Sequence, residues 1–436
     1  MQTTAGFYNF SNIRYGQAPV GELRFAEPLA PTGRNTTVNN GSVGRICPQA
    51  SPKWELIAAT FATEYLTGNK FNATLAAETA ASQSSGFPKQ DPRTTEDCLF
   101  LDVVVPQKIF ATANSSSPAK GASVSQIADG QIQASTASSG NTTNSTGAPV
   151  LVWIYGGGYT GGEKSANSAA GLLKASQANG TSEGLIFVSL NYRLGAFGWL
   201  SGPTLQSNGT ANAGLYDQRL ALQWVQDNIH LFGGNPNNVT VIGESAGGGS
   251  IMHQITAFGG NKGPAPFQQA VLQSPAFQNL PSYYQQEQTF NTFLNLTNVS
   301  TIEEARKLPY STLQMANIVQ VGNSSYGQFT YGPAVDGLIA PAIPGKLLLQ
   351  GSFDKNLKIM VGHNADEGFV FTSPYITNDT TFNEYVQAAF PTIQPAVASY
   401  VENTLYPPNK TGILGLTGYS DETGRVDLIV SESTFT

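Results

Sequence analysis

Gly243-Glu244-Ser245-Ala246-Gly247 sets a serine in the pattern G-x-S-x-G. A serine hydroxyl is a poor nucleophile until a turn exposes it and a base takes its proton. The pattern arises by chance, so its context decides. The apolar run 239–242 leads straight into it and small residues follow, which predicts strand, sharp turn and helix, the setting of a nucleophile elbow. The flanking glycines let strand and helix close up, and the strained turn lifts Oγ out at the carboxyl end of the strand. Open α/β sheets bind ligands at that end. A glycine-rich helix start with a buried serine is the bland alternative, and it would not need the strand.

A second cluster, Gly156-Gly157-Gly158, follows the apolar run 150–155. Acyl transfer needs N–H groups aimed at the developing oxyanion, and a glycine run lets the carbonyl oxygen come close. The N–H after the nucleophile, that of Ala246, is the other donor of such an elbow. The same cluster reads Gly156-x-Gly158-x-x-Gly161, the dinucleotide fingerprint. That reading fails on its acid: Glu183 precedes the next strand instead of ending it, and the strand runs into Asn191-Tyr192-Arg193. No cofactor and no metal are expected.

The elements that must position these residues are legible as apolar runs at 99–105, 150–155, 185–190, 239–242 and 357–361. The last four are apolar on both faces, as parallel strands buried between helix layers are. Amphipathic stretches at 217–228 and 246–256 lie among them. The alternation predicts an α/β fold class, one doubly wound domain over 1–436. Within it, 111–147 is rich in Ser, Thr, Ala, Gly and Asn without apolar periodicity. Such a stretch cannot offset its ordering entropy and is expected to be a disordered insertion.

Charged residues make up 12% of the chain, about half the usual share, and the net charge is −7. The net charge and the lack of clustered Lys and Arg argue against a nucleic-acid partner. No segment has the apolar length of a membrane span. Fifteen Asn-x-Ser/Thr sequons run from Asn9 to Asn409, against roughly six expected by chance, so N-glycans on a secreted protein are expected. Cys47 and Cys98, an even pair, suggest one disulfide. Against secretion, Met1-Gln2-Thr3-Thr4-Ala5-Gly6 has neither a basic n-region nor an apolar h-region.

Together these blocks resemble the type-B carboxylesterase/lipase family, which includes cholinesterases and fungal extracellular lipases. The resemblance takes in Phe10-Ser-Asn-Ile-Arg-Tyr-Gly-Gln17, Pro19-Val-Gly-Glu-Leu-Arg-Phe25 and Glu96-Asp-Cys-Leu-Phe-Leu-Asp-Val103. It continues through Trp153-Ile-Tyr-Gly-Gly-Gly-Tyr159, Asn191-Tyr-Arg-Leu-Gly-Ala-Phe-Gly198 and Asp217-Gln-Arg-Leu-Ala-Leu-Gln-Trp-Val225. Phe232-Gly-Gly-Asn-Pro-Asn-Asn238 then leads to the elbow. The family implies an α/β-hydrolase fold, a mostly parallel doubly wound sheet flanked by helices. It also implies ester hydrolysis through an acyl-serine at Ser245, with the oxyanion held by Gly157, Gly158 and Ala246. The family's acid matches Glu367 in Gly362-His-Asn-Ala-Asp-Glu-Gly368, with Asp366 as the alternative.

The family's catalytic histidine comes after its acid, but His230, His253 and His363 all precede Glu367. Each is expected to be structural. The chain is accordingly expected to be cut short at both ends, lacking the family's signal peptide, first strands and histidine block, and to turn over weakly. The resemblance also implies that Cys47–Cys98 closes a loop over the active-site gorge. Trp54, the one tryptophan in that loop, lies far from Cys98, which argues against a choline-ester specialist. The rival expectation is a non-catalytic cholinesterase-like adhesion or binding protein; the intact Ser245 and glycines argue against it.

Overall fold

The computed structural model describes residues 2–4, 6–33, 43–83, 90–116, 147–178, 183–277, 282–408, 419 and 421–434. Eight strands form one sheet: β1 (Gln2–Thr4), β2 (Phe7–Arg14), β3 (Phe100–Pro106), β4 (Ala148–Ile154), β5 (Ile186–Leu190), β6 (Gly234–Glu244), β7 (Gln269–Gln273) and β8 (Lys358–Gly362). Their order is β1-β2-β3-β5-β4-β6-β7-β8. The sheet is mixed. β5, β4, β6 and β7 are mutually parallel, whereas β1, β2, β3 and β5 pair antiparallel.

β4 and β6 lie side by side at the centre, with Trp153 opposite Ile242 and Ile154 opposite Gly243. That register carries both strands to the same level at their carboxyl ends, so the two glycine-bearing loops leave the sheet as neighbours. Val150, Val152, Ile154, Val188, Leu190, Val239 and Val241 are buried, as strands between helix layers require. The helices Ala213–Asn228 and Ala246–Ile255 hold much of that cover. A buried ion pair ties the exit of β5 to the first of them. Arg193 Nε and Nη2 each donate to Asp217 at 2.8 Å, with the side chains 2% and 0% exposed. Removing one partner of such a pair strands a buried charge and costs about 3–5 kcal/mol.

β8 departs from expectation. Its apolar residues match those of the buried strands, yet all five of its positions are exposed, Met360 to 69%. Lys358 N donates to Gln268 O at 3.2 Å, but among the described residues no helix layer covers either face. An apolar run fixes the tendency to extend; what packs on it fixes the burial.

Two compact units make up the chain, a division that strand–helix alternation does not reveal. One comprises Met1–Ala50, Gln90–Ile318 and Tyr331–Val361; the other Ser51–Lys89, Val319–Thr330 and Gly362–Thr436. The second has its own aromatic core, in which Trp54 packs on Tyr326, Phe329 and Phe371 and donates Nε1 to Gln328 O at 2.7 Å. Buried Arg425 is its polar hub. It bonds Asp379 at 2.7 Å, Glu422 at 3.0 Å and the carbonyls of Tyr406 and Glu402, over the Phe382 ring. Of the low-complexity stretch, 111–116 continue the helix Gln107–Ser116; 117–146 lie outside the described residues.

Candidate active site

Ser245 sits where β6 meets the helix Ala246–Ile255, with φ 54° and ψ −122°. A positive φ on a residue with a side chain is strained and must be held by its surroundings. Here the holding is done by backbone. Ser245 N donates to Gln273 O at 3.0 Å, and Ser245 O accepts from Ala276 N at 3.0 Å and Gly249 N at 2.9 Å. The flanking glycines are sterically required. A Cβ at Gly247 would lie 2.1 Å from Ile154 O, and one at Gly243 would lie 2.7 Å from Gly247 C. Ser245 itself is half-buried at the sheet's carboxyl edge.

The glycine cluster is beside it. A Cβ on Gly156 would meet Ser245 Cβ at 2.9 Å. Gly157 and Gly158 have φ of 109° and 60°, a region that favours glycine. Gly157 O accepts from Thr160 N and Gly161 N at 3.1 and 2.9 Å. The loop therefore turns back on itself instead of opening a helix as a dinucleotide loop does. Among the described residues, the N–H groups of Gly157, Gly158 and Ala246 have no acceptor. Free backbone donors beside a strained serine are what an oxyanion hole requires.

Buried side chains that the motif does not announce hold this loop. Tyr155 and Tyr192 stack at 4.5 Å; Tyr192 OH donates to Tyr155 O at 2.8 Å, and Tyr155 OH to Tyr192 O at 3.3 Å. Burial pushes both phenols far above their ordinary range, so they remain donors. Beyond the glycines, Lys164 Nζ bonds Asp102 at 2.6 Å and Lys164 N donates to Asn191 Oδ1 at 3.0 Å. Asn191 Nδ2 in turn donates to Arg45 O at 2.7 Å and Cys98 O at 3.2 Å. The Cys47–Cys98 disulfide is formed, as the even pair suggests, with an S–S distance of 2.08 Å. Thus the bridge and the glycine loop share one anchor, Asn191.

Glu367 lies in the second unit, half-buried, its Oε1 accepting from Asn364 N at 2.7 Å and Asn364 Nδ2 at 3.2 Å. Asp366 is exposed. His363 is exposed, its Nδ1 against Asn364 O at 2.7 Å. His230 is exposed on the turn after the helix Ala213–Asn228. His253, on the helix after Ser245, is buried, and burial depresses its pKa to about 4. It lies edge-on to Phe277 and has no hydrogen-bond partner among the described residues. Trp54 is enclosed in the aromatic core of the second unit, where no quaternary ammonium could reach its face.

The model of the carboxylesterase family matches residues 1–406. The chain belongs to that family and is a serine ester hydrolase. It is 39% identical over 440 residues to a carboxylesterase, patB, of Penicillium expansum, covering 99% of this chain and 73% of that one. A secreted lipase of Arthroderma benhamiae is 32% identical over 333 residues, 74% of this chain and 57% of that protein. Among solved structures, Aspergillus niger EstA superposes with a TM-score of 0.70 at 24% identity, covering 99% of this chain and 69% of that one. This last likeness supports the α/β-hydrolase fold.

Proposed function

We propose that Ser245 attacks the carbonyl carbon of a neutral carboxylic ester, that the N–H groups of Gly157, Gly158 and Ala246 hold the resulting oxyanion, and that water then cleaves the acyl-serine. Glu367 is the proposed acid of the constellation. One observation carries the reading: a strained, half-buried serine beside three backbone donors with no other acceptor among the described residues. None of His230, His253 and His363 is assigned as the base. Two are exposed, and the buried one has no carboxylate to orient it among the described residues. The setting proposed is extracellular, with N-glycans on exposed sequons such as Asn72, Asn295 and Asn378; the disulfide and the secreted lipase among the relatives support it.

The test is p-nitrophenyl butyrate hydrolysis by the 436-residue chain, beside Ser245→Ala. Binding and an oxyanion hole without a base leave about 10³–10⁴ over water. That residual rate is expected, and Ser245→Ala should abolish most of it. A rate indifferent to Ser245→Ala would overturn the nucleophile. A fast, Ser245-dependent rate would make one of the three histidines the base.

A further inference from the structure

Tyr159, the residue after the last of the proposed oxyanion glycines, also has a positive φ. Its φ is 63°, and it is wholly buried. A bulky residue keeps such a backbone only where its surroundings over-determine it, and such outliers gather at functional sites. Its surroundings here are specific. The backbone carbonyl accepts from Gly195 N at 2.9 Å, and the ring stands edge-on to Trp199 at 4.7 Å. The hydroxyl crosses to the other loop and donates to Ala276 O at 2.8 Å. Ala276 N, in turn, donates to Ser245 O at 3.0 Å. One residue, Ala276, therefore takes the Tyr159 hydroxyl with its carbonyl and holds the nucleophile's carbonyl with its amide.

The space for this link is reserved. A Cβ at Gly249 would lie 2.4 Å from Tyr159 OH and 2.1 Å from Ala276 O. Only glycine at that point of the elbow helix lets the hydroxyl through. Below it, Gln218 Nε2 donates to Ser250 Oγ at 3.0 Å, and both residues are fully buried. The Tyr159 hydroxyl thus makes its bond to Ala276 O at a buried place, where such a bond is costly to leave unmade.

We propose that the Tyr159 hydroxyl is a positioning group for the oxyanion hole: through Ala276 it fixes the spacing between the Gly157 and Gly158 amides and the strained Ser245. The inference rests on the role of those amides proposed above. Its action is on the transition state alone, because the ester's ground state needs neither the spacing nor the charge stabilisation. Displacing an oxyanion donor by a fraction of an ångström weakens a bond that matters only when the carbonyl oxygen becomes charged.

The test is Tyr159→Phe in the full chain, assayed with p-nitrophenyl butyrate per mole of folded protein. The residual rate of a base-poor site is itself an oxyanion-hole rate, so the readout does not depend on a strong base. We expect kcat to fall about tenfold with KM unchanged within twofold, and the affinity for butylboronic acid, which forms a tetrahedral adduct on serine, to fall in parallel. Replacement of Tyr159 by 4-aminophenylalanine keeps a donor at that place and should restore kcat; 4-methylphenylalanine fills the space without a donor and should not. This second pair also carries the test if the Phe variant does not fold. Unchanged kcat and boronate affinity in folded Tyr159→Phe would overturn the proposal, as would a rise in KM that accounts for the whole loss. If the parent chain neither turns over at Ser245 nor binds the boronate, the reading of the site falls, and this inference with it.

Discussion

Two strand-to-loop junctions hold the residues proposed for the chemistry of this chain, and they are built in opposite ways. At the ends of β4 and β6, Ser245 and the glycines are locked by backbone bonds, by the Tyr155–Tyr192 stack and by close approaches that admit no Cβ. By contrast, β8 is exposed along its length, and in the loop after it the carboxylate of Glu367 accepts, among the described residues, from Asn364. The first junction spends strain on holding the proposed nucleophile and oxyanion donors, and its close approaches admit no added Cβ. The second is locally ordered only, so a change there propagates little. Electrostatic stabilisation of an oxyanion depends on such preorganisation, and only the first junction has it.

The sharpest break of that contrast is Gly158→Ala. At a φ of 60° the added methyl strains the backbone, and relief of that strain is expected to move the Gly158 N–H from its proposed place at the oxyanion. Loss of one such donor costs about 10²–10³ in kcat, or roughly 2.7–4 kcal/mol. Steady-state hydrolysis of p-nitrophenyl butyrate should show that fall with KM little changed. A variant of ordinary kcat would mean that the glycine loop is shaped for folding alone.

How much of this was readable beforehand follows the same division. The elbow and the glycine run announce themselves because their backbone needs particular residue types. Tyr159 and Ala276 do not, since a tyrosine and an alanine are unremarkable until distant loops meet. Neither β2 nor β7 stood out. A register shift between Phe10 and Ile13, with Asn12 at φ 55°, breaks the alternation of β2, and β7 offers only three apolar residues between glutamines. The sequence of β8 predicts a buried strand, and the strand is exposed, because composition records a preference for extension and not the presence of a covering layer. Glu367 is proposed as the acid on family resemblance; no local rule of spacing points to it.

Next in size is the effect of pH on the locked junction, read through His253. Burial depresses its pKa from 6.5 to about 4. Between those values the unfolded chain binds a proton that the folded chain does not, so stability rises with pH across the window. The contribution is complete above about pH 6.5 and is lost as pH falls to about 4, for a total of about 3 kcal/mol. Urea midpoints from pH 7.5 to 4 should fall accordingly, and His253→Gln should flatten the slope relative to the parent. Equal slopes in the two proteins would place the imidazole in contact with water. An imidazole held neutral this way also makes a poor partner for a carboxylate, so His253→Gln should leave hydrolysis nearly unchanged.

The smallest effect expected is the one that tests the loosely held junction. Glu367→Gln keeps the shape of the side chain and its oxygen acceptor toward Asn364, and removes the charge. A triad acid acts by orienting and stabilising an imidazolium. Where no histidine serves as base, that charge has nothing to stabilise, and kcat should fall less than tenfold, or about 1.4 kcal/mol. A fall as large as that of Ser245→Ala would reverse the comparison: the charge would then be working on a histidine, and the exposed loop after β8 would be as much a part of the catalytic machinery as the elbow. His363→Gln and His253→Gln, each combined with Glu367→Gln, would then identify which imidazole it serves, since partners acting as a unit lose no more together than singly.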